Sequence, residues 1–242
     1  MKQRLDHLMA AKGLAPTRSQ AESWIKLGKV TVAGKVVIKP GFFVDESAEL
    51  KLLATEQYVS RAGLKLASVA TTFGIDFAGK TVLDVGSSTG GFTDYALQHG
   101  AAKVYAVDVG TDQLHPSLRA DKRIELHEKT DIRDFVPATV PDIVVIDVSF
   151  ISLRQILPHI SQITGSSTRI YAMVKPQFEA SKQQITSSGV IKNDTVRRAI
   201  LKDFEAWAKE RFTIVAKADS EVKGARGNAE RFYVLRVAQK RQ

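Results

Sequence analysis

The run Thr81-Val-Leu-Asp-Val-Gly-Ser-Ser-Thr-Gly-Gly-Phe-Thr93 holds a strand, a glycine turn and the start of a helix in thirteen residues. Thr81 to Val85 is apolar and β-branched, the pattern of a buried strand. Gly86 ends it, and Gly90-Gly91 lead into the next element. From Thr93 the pattern turns helical, with a helix predicted over Thr93–Gln98. Such a junction lets a ligand touch bare backbone. Glycine permits close approach, and a helix N-terminus offers unpaired N–H groups.

The spacing Gly86-Ser-Ser-Thr-Gly90-Gly91 does not reproduce the dinucleotide pattern G-x-G-x-x-G. No Lys-Ser or Lys-Thr follows, so the turn is not a phosphate-binding P-loop. Asp84 stands just before the first glycine. Asp108 ends the next apolar run, Lys103-Val-Tyr-Ala-Val-Asp108, a placement that suits a carboxylate gripping a ribose diol. Asp-x-Gly, the glycine turn and the second-strand acid together resemble a class I S-adenosylmethionine methyltransferase. The resemblance implies cofactor contacts from Asp84, Gly86, Ser87, Ser88, Thr89, Gly90, Gly91, Phe92 and Asp108. On this stretch alone, a Rossmann-like domain with another nucleoside ligand remains open.

Working outward, strands and helices alternate. Strands are predicted at 103–108, 124–127, 143–147, 169–174, 212–218 and 231–237, and helices at 60–73, 151–163 and 195–211. This alternation implies an α/β domain with a mostly parallel sheet covered on both faces. Ligands of such sheets bind at the carboxyl ends of the strands. Asp131-Ile132 follows the third strand and suits an adenine-edge contact or a plain loop turn. Asp147 ends Ile143-Val-Val-Ile-Asp147, where an unpartnered carboxylate would be costly. Phe150 suits either packing beside the methionyl part of a cofactor or the core. Residues 176–194 read as a polar loop with a break at Gly189, a lid or a plain surface loop.

Lys65, Asp147, Lys175 and Glu230 fall at strand ends or a helix start on one rim. They resemble the Lys-Asp-Lys-Glu tetrad of RrmJ/FtsJ-type ribose 2′-O-methyltransferases. Their contexts, Ser60-Arg-Ala-Gly-Leu-Lys65, Asp147-Val-Ser-Phe-Ile-Ser-Leu153, Val174-Lys-Pro-Gln-Phe-Glu179 and Gly227-Asn-Ala-Glu230, resemble the TlyA family. A ribose hydroxyl is a weak acid and must lose its proton as it attacks a sulfonium methyl. A lysine serves as base only if burial or nearby cations lower its pKa, and two lysines in one pocket repel each other. Lys175 is the expected base, with Lys65, Asp147 and Glu230 positioning it and the ribose.

The chain has 242 residues and a net charge of +9. Hydrophobic residues are 44% and charged residues 25%, ordinary for a globular protein. Cysteine is absent, which excludes disulfides, thiolate metal sites and methylation of pyrimidine C5 through a cysteine nucleophile. The five histidines show no metal-ligand spacing, so no metal is expected. Asp147-Val-Ser-Phe150 lacks the prolines of a base N6-methyltransferase. Met1 to Asp6 has no apolar signal core, which predicts a cytoplasmic protein.

The charge is concentrated at the front. Residues 1–40 hold eight lysines and arginines against two acids. Helices are predicted over 5–12 and 18–27, the second with a Thr17/Gln20 capping box and Ala21, Trp24 and Ile25 on one face. Short strands follow at 30–32, 35–38 and 48–53. Arg4-Leu-Asp, Gly13, Ser19-Gln-Ala-Glu22 and Gly28-Lys-Val-Thr-Val32-Ala-Gly34 resemble the S4 RNA-binding domain. The resemblance implies docking onto structured RNA through Arg4, Arg18, Lys26, Lys29 and Lys35, by counterion release and shape. A solvated basic surface is the alternative for each, and Trp24 is expected in a small core.

The expected organisation is an α+β S4 domain over 1–55, a linker over 56–59, and a class I methyltransferase domain with a seven-stranded sheet over 60–242. The resemblance implies ribosomal RNA as partner, methylated at cytidine ribose, with the large-subunit RNA first and the small-subunit RNA also open. Two other classes stay open: an RNA-binding protein with an inactive methyltransferase fold, and a cytolysin, since some members carry haemolysin names.

Overall fold

A computed structural model describes residues 2–15, 18–26, 28–53, 58–181, 189–191, 193–224 and 227–238. The chain divides into two compact units, Met1–Gln57 and Tyr58–Gln242.

In the first unit, β1 (Lys2–Arg4) leads into α1 (Leu5–Ala11) and α2 (Arg18–Lys26). Then come β2 (Val30–Val32), β3 (Lys35–Val36), β4 (Phe43–Asp45) and β5 (Leu50–Leu52). Strands β3-β2-β5 form one antiparallel sheet and β1-β4 a two-stranded one. The apolar faces of α1 and α2 close over Val30 and Val44, with Leu5, Leu8, Met9, Trp24 and Ile25 as core. Trp24 is therefore a packing residue. β1 and β4 escape a sequence reading because three residues carry no period. The Thr17/Gln20 capping box lies outside the described residues.

The second unit starts earlier than the predicted crossing allows. Tyr58 is buried with its ring 5.1 Å from that of Tyr95, and the Val59 N–H donates to Asp94 Oδ2 at 2.7 Å. Gly63 makes this docking possible, because a Cβ there would lie 2.5 Å from Tyr58 Cβ. Residues 54–57 lie outside the described residues.

The second unit continues with α3 (Arg61–Phe73), β6 (Thr81–Val85), α4 (Gly91–Gln98), β7 (Lys103–Val107), α5 (Pro116–Arg119), β8 (Ile124–His127), a 3₁₀ turn (Ile132–Asp134) and β9 (Ile143–Ile146). It ends with α6 (Leu153–Ile163), β10 (Arg169–Val174), α7 (Pro176–Glu179), α8 (Asp194–Ala208), β11 (Phe212–Asp219) and β12 (Arg231–Val237). The seven-stranded sheet runs β11-β12-β10-β9-β6-β7-β8, parallel from β10 to β8. Only β12 runs against its neighbours, β10 and β11.

Period two explains the two covering layers. Leu83 and Val85 of β6 join the core under α6 and α8, built on Ile156, Leu157, Ile160, Leu201 and Phe204. Val82 faces the other way, into the layer of α3 and α4 with Leu66, Val69, Phe92 and Tyr95. The strand order reverses beside β6, which pairs with β7 on one side and β9 on the other. The glycine turn leaves the sheet at that switch point.

The predicted loop over 176–194 is partly helical. α7 occupies its first four residues and α8 begins at Asp194. Residues 182–188 and 192, where the lid would be, lie outside the described residues. Among the described residues, no helix is long and apolar enough to cross a membrane.

Candidate active site

Gly86 follows β6 with φ 79°, in the left-handed region. A Cβ there would lie 2.9 Å from the Asp147 carbonyl oxygen. Glycine thus lets the ends of β6 and β9 converge, and the Asp147 N–H donates to the Val85 carbonyl at 3.0 Å. Gly90 also has a left-handed φ, 94°, and begins α4. At Gly91 a side chain would run into Ser60 and the backbone of Gly63, so α3 and α4 cross closely there.

Two cavities flank this turn. One, of about 360 Å³, is lined by Gly86, Asp108, Asp131, Ile132, Asp147 and Phe150, among others. The other, of about 150 Å³, is lined by Ser60, Asp84, Ser87, Thr89, Phe92 and Lys175, among others. Gly86, Ser88, Asp147 and Ser149 border both.

The expected acids differ in their engagement. Asp108 Oδ2 accepts from the Ser88 N–H and Oδ1 from the Gly110 N–H, each at 2.7 Å. Its carboxylate therefore shapes the turn as well as facing the larger cavity. Asp131 accepts from the Arg133 N–H at 2.9 Å and pairs with its guanidinium at 2.6 Å. It makes the loop turn and lines the cavity with Ile132, so both readings of that residue meet in one place. Phe150 is 91% exposed, which removes it from the core.

Asp84 is fully buried because it faces the α3/α4 layer. Thr93 Oγ1 donates to its Oδ2 at 2.7 Å. Among the described residues, its Oδ1 meets no hydrogen-bond partner, and nor does Ser87 Oγ. Burial pushes the Asp84 carboxyl up to about 7, against the pull of the Thr93 hydrogen bond. A buried carboxylate with one such oxygen, bordering a cavity, suits a ligand that brings a hydrogen-bonding cation.

The four rim charges form two ion pairs. Lys175 Nζ lies 2.6 Å from Asp147 Oδ1, and Lys65 Nζ lies 2.7 Å from Glu230 Oε2. Both contacts have ion-pair distance without hydrogen-bond angles. Strand order explains the grouping. Asp147 follows β9, Lys175 follows β10, and Glu230 precedes the reversed β12. Val174 pairs with Arg231, so Lys175 and Glu230 stand opposite each other one step further on. Gly224 leaves the room that Glu230 fills. Each lysine thus has its own carboxylate, Asp147 for Lys175 and Glu230 for Lys65.

Sequence reasoning does not single out Ser149, whose Oγ accepts from Lys175 Nζ at 2.8 Å. It also passes over Glu179, which is buried against Ser152. Both lie inside quoted motifs, but serine and glutamate next to loops carry no distinguishing pattern.

In the first unit, Arg4 and Arg18 are not free. Both guanidiniums grip the buried Asp6, at 2.8 and 3.1 Å. The Arg4 hydrogen bond, chiefly, holds the Asp6 carboxyl far below the usual range. A buried carboxylate requires such partners, so the two arginines serve the small core. Lys29 and Lys35 are exposed, while the Lys26 side chain lies outside those described. Three of the five histidines illustrate structural roles. His99 stacks on Tyr95 at 4.0 Å, His115 caps α5, and His159 bonds the Phe135 carbonyl.

The FtsJ-like methyltransferase family matches residues 58–237, and the S4 domain family matches residues 3–50. The chain belongs to the TlyA family, and it is a methyltransferase. It is similar to the 16S/23S rRNA (cytidine-2′-O)-methyltransferase TlyA of Mycobacterium tuberculosis, 37% identical over 97% of this chain and 90% of the relative. The 23S rRNA (cytidine-2′-O)-methyltransferase TlyA of Campylobacter jejuni is 44% identical over 76% of this chain and 73% of its own. A solved structure from Streptococcus thermophilus, described as a candidate hemolysin, has a TM-score of 0.76 at 38% identity, covering 98% of this chain and 89% of that one.

Asp84 gives a pH test. Its folded pKa, about 7, lies above the ordinary 3.8. Between these values the folded state holds a proton that the unfolded state releases, so stability falls as pH rises. Asp84→Asn removes that loss. Its melting temperature relative to the unsubstituted protein should rise between pH 5 and pH 8, pH values set about either side of the transition. A difference constant with pH would contradict the assignment.

Proposed function

We propose that the chain methylates ribose 2′-hydroxyls of ribosomal RNA, at cytidine, using S-adenosylmethionine. The two ion pairs beside the glycine turn carry the reading. The names of the Mycobacterium and Campylobacter relatives support the substrate, and large-subunit RNA, common to both names, is the first to test.

The residues present fit that cofactor. The larger cavity offers apolar walls and the Asp108 and Asp131 carboxylates to a nucleoside. The smaller one offers the unpartnered Asp84 Oδ1 and Ser87 Oγ to an amino-acid ammonium. Gly86 and Ser88 of the turn border both cavities, and Thr89 borders the smaller. When bound, the cofactor supplies a methyl group on a positive sulfur.

Lys175 Nζ, as the neutral amine, takes the proton of the ribose hydroxyl while that oxygen bonds to the methyl carbon and the sulfur keeps the electron pair of the bond that breaks. Asp147, 2.6 Å away, keeps the amine aimed and balances the ammonium that results. Lys65, held by Glu230, orients the ribose oxygens. Much of the rate comes from this alignment. Lys175→Ala should abolish transfer to ribosomal RNA while calorimetry with S-adenosylhomocysteine shows unchanged binding. Retained turnover would refute the base assignment.

Docking in this reading belongs to the exposed lysines of the first unit, while Arg4 and Arg18 are engaged by Asp6. The slope of log affinity against log salt should fall by about 1 for each phosphate that a lysine no longer neutralises. Removing Lys29 and Lys35 together should weaken RNA binding and flatten that slope, and an unchanged slope would place docking elsewhere.

A further inference from the structure

The loop from Asp147 to Ser152 is a wall common to both cavities. It presents Asp147 and Ser149 to Lys175, at 2.6 and 2.8 Å. Its backbone is held in an uncommon form. Phe150 has φ 67°, a conformation unfavourable for a bulky residue. Phe150 is 91% exposed, so burial of its ring does not hold it there. Strained residues persist only where the surroundings over-determine them.

The fastening lies at the far end of the loop. Glu179, the last residue of α7, has a side chain only 1% exposed. Ser152 Oγ donates to its Oε2 at 2.6 Å, and the Leu153 N–H donates to its Oε1 at 2.7 Å. Arg154 Nε stands 3.5 Å from Oε2. Burial pushes the Glu179 carboxyl up, and the Ser152 and Leu153 hydrogen bonds oppose it. A buried carboxylate is costly, so this arrangement needs a reason. Capping α6 is not a sufficient one, since Ser152 Oγ already accepts from the Arg154 N–H at 3.1 Å. What Glu179 adds is a tie between the loop and α7, whose first residue follows Lys175 directly. Residues 147–153 and 175–179 therefore form a ring closed at two points. One closure is Lys175 on Asp147 and Ser149. The other is Glu179 on Ser152 and Leu153.

We propose that Glu179 is a positioning residue for methyl transfer, locking α7 against the 147–152 loop so that Lys175 Nζ stays on Asp147 and Ser149. The proposal rests on the reading of Lys175 as the proton acceptor. Glu179 itself touches neither cavity among the residues that line them. Its action passes through the loop.

The test compares Glu179→Ala, Glu179→Gln and Lys175→Ala in the full chain. Methyl transfer to ribosomal RNA is measured with RNA and S-adenosylmethionine both saturating, alongside thermal melting. Glu179→Ala should lower kcat roughly 10- to 100-fold in protein that still melts cooperatively, the size expected when a reacting group is misplaced by about an ångström. Glu179→Gln keeps an acceptor for the Leu153 N–H and should restore much of the loss, which a general weakening of the fold would not do. If Glu179→Ala fails to fold, a partial kcat loss in Glu179→Gln still carries the proposal. Unsubstituted kcat in every folded Glu179 variant, with Lys175→Ala inactive, overturns the proposal alone. An active Lys175→Ala overturns the reading beneath it.

Discussion

The contact of Lys175 Nζ with Asp147 Oδ1, at 2.6 Å, joins the ends of two adjacent parallel strands. Neither charge could stay there alone, because a single ion at a nearly buried strand end is strongly unfavourable. Lys65 and Glu230 meet under the same constraint, brought in by α3 and by the reversed strand β12. The two pairs make these strand ends tolerable, and they leave Lys175 and Asp147 on the wall of the smaller cavity. Replacing such pairs by apolar side chains often costs a fold nothing. Keeping them is therefore better explained by chemistry than by stability.

The rest of the second unit serves that edge. Gly86 lets β6 and β9 approach, which brings the glycine turn against the Asp147 backbone. Gly63 and Gly91 let α3 lie close on α4, which sets the helix that carries Lys65. β12 alone runs backwards, and for that reason a residue preceding it can stand opposite one that follows β10. In the first unit the same electrostatic rule has a different result. Asp6 is buried, and the guanidiniums of Arg4 and Arg18, with side chains 39% and 50% exposed, meet it from the surface.

Much of this was legible in the residues. The seven strands carry long apolar runs, and their order of alternation with helices dictates the layered architecture. Three of the four rim charges end or precede such a run, and Lys65 lies near the start of a helix. What stayed hidden depends on pairing across the chain. Arg18 lies twelve residues from Asp6, and no local pattern says that its guanidinium folds onto that carboxylate, so it read as a surface cation. The exposed, left-handed Phe150 could not be told from a core aromatic by type alone. Short elements such as β1, β4 and α7 are set by tertiary contacts and show no period. Lysine pairing likewise needed the β10–β12 register, which no local pattern supplies.

Mapping where the methyl group lands is the most direct test of ribose methylation at this site. Ribosomal RNA lacking the modification would be incubated with the protein and labelled S-adenosylmethionine, digested to nucleosides, and analysed by mass spectrometry. The two ion pairs predict label on a ribose oxygen, and the proposed function places it at cytidine. Label on a base, or none in RNA at all, would contradict that role.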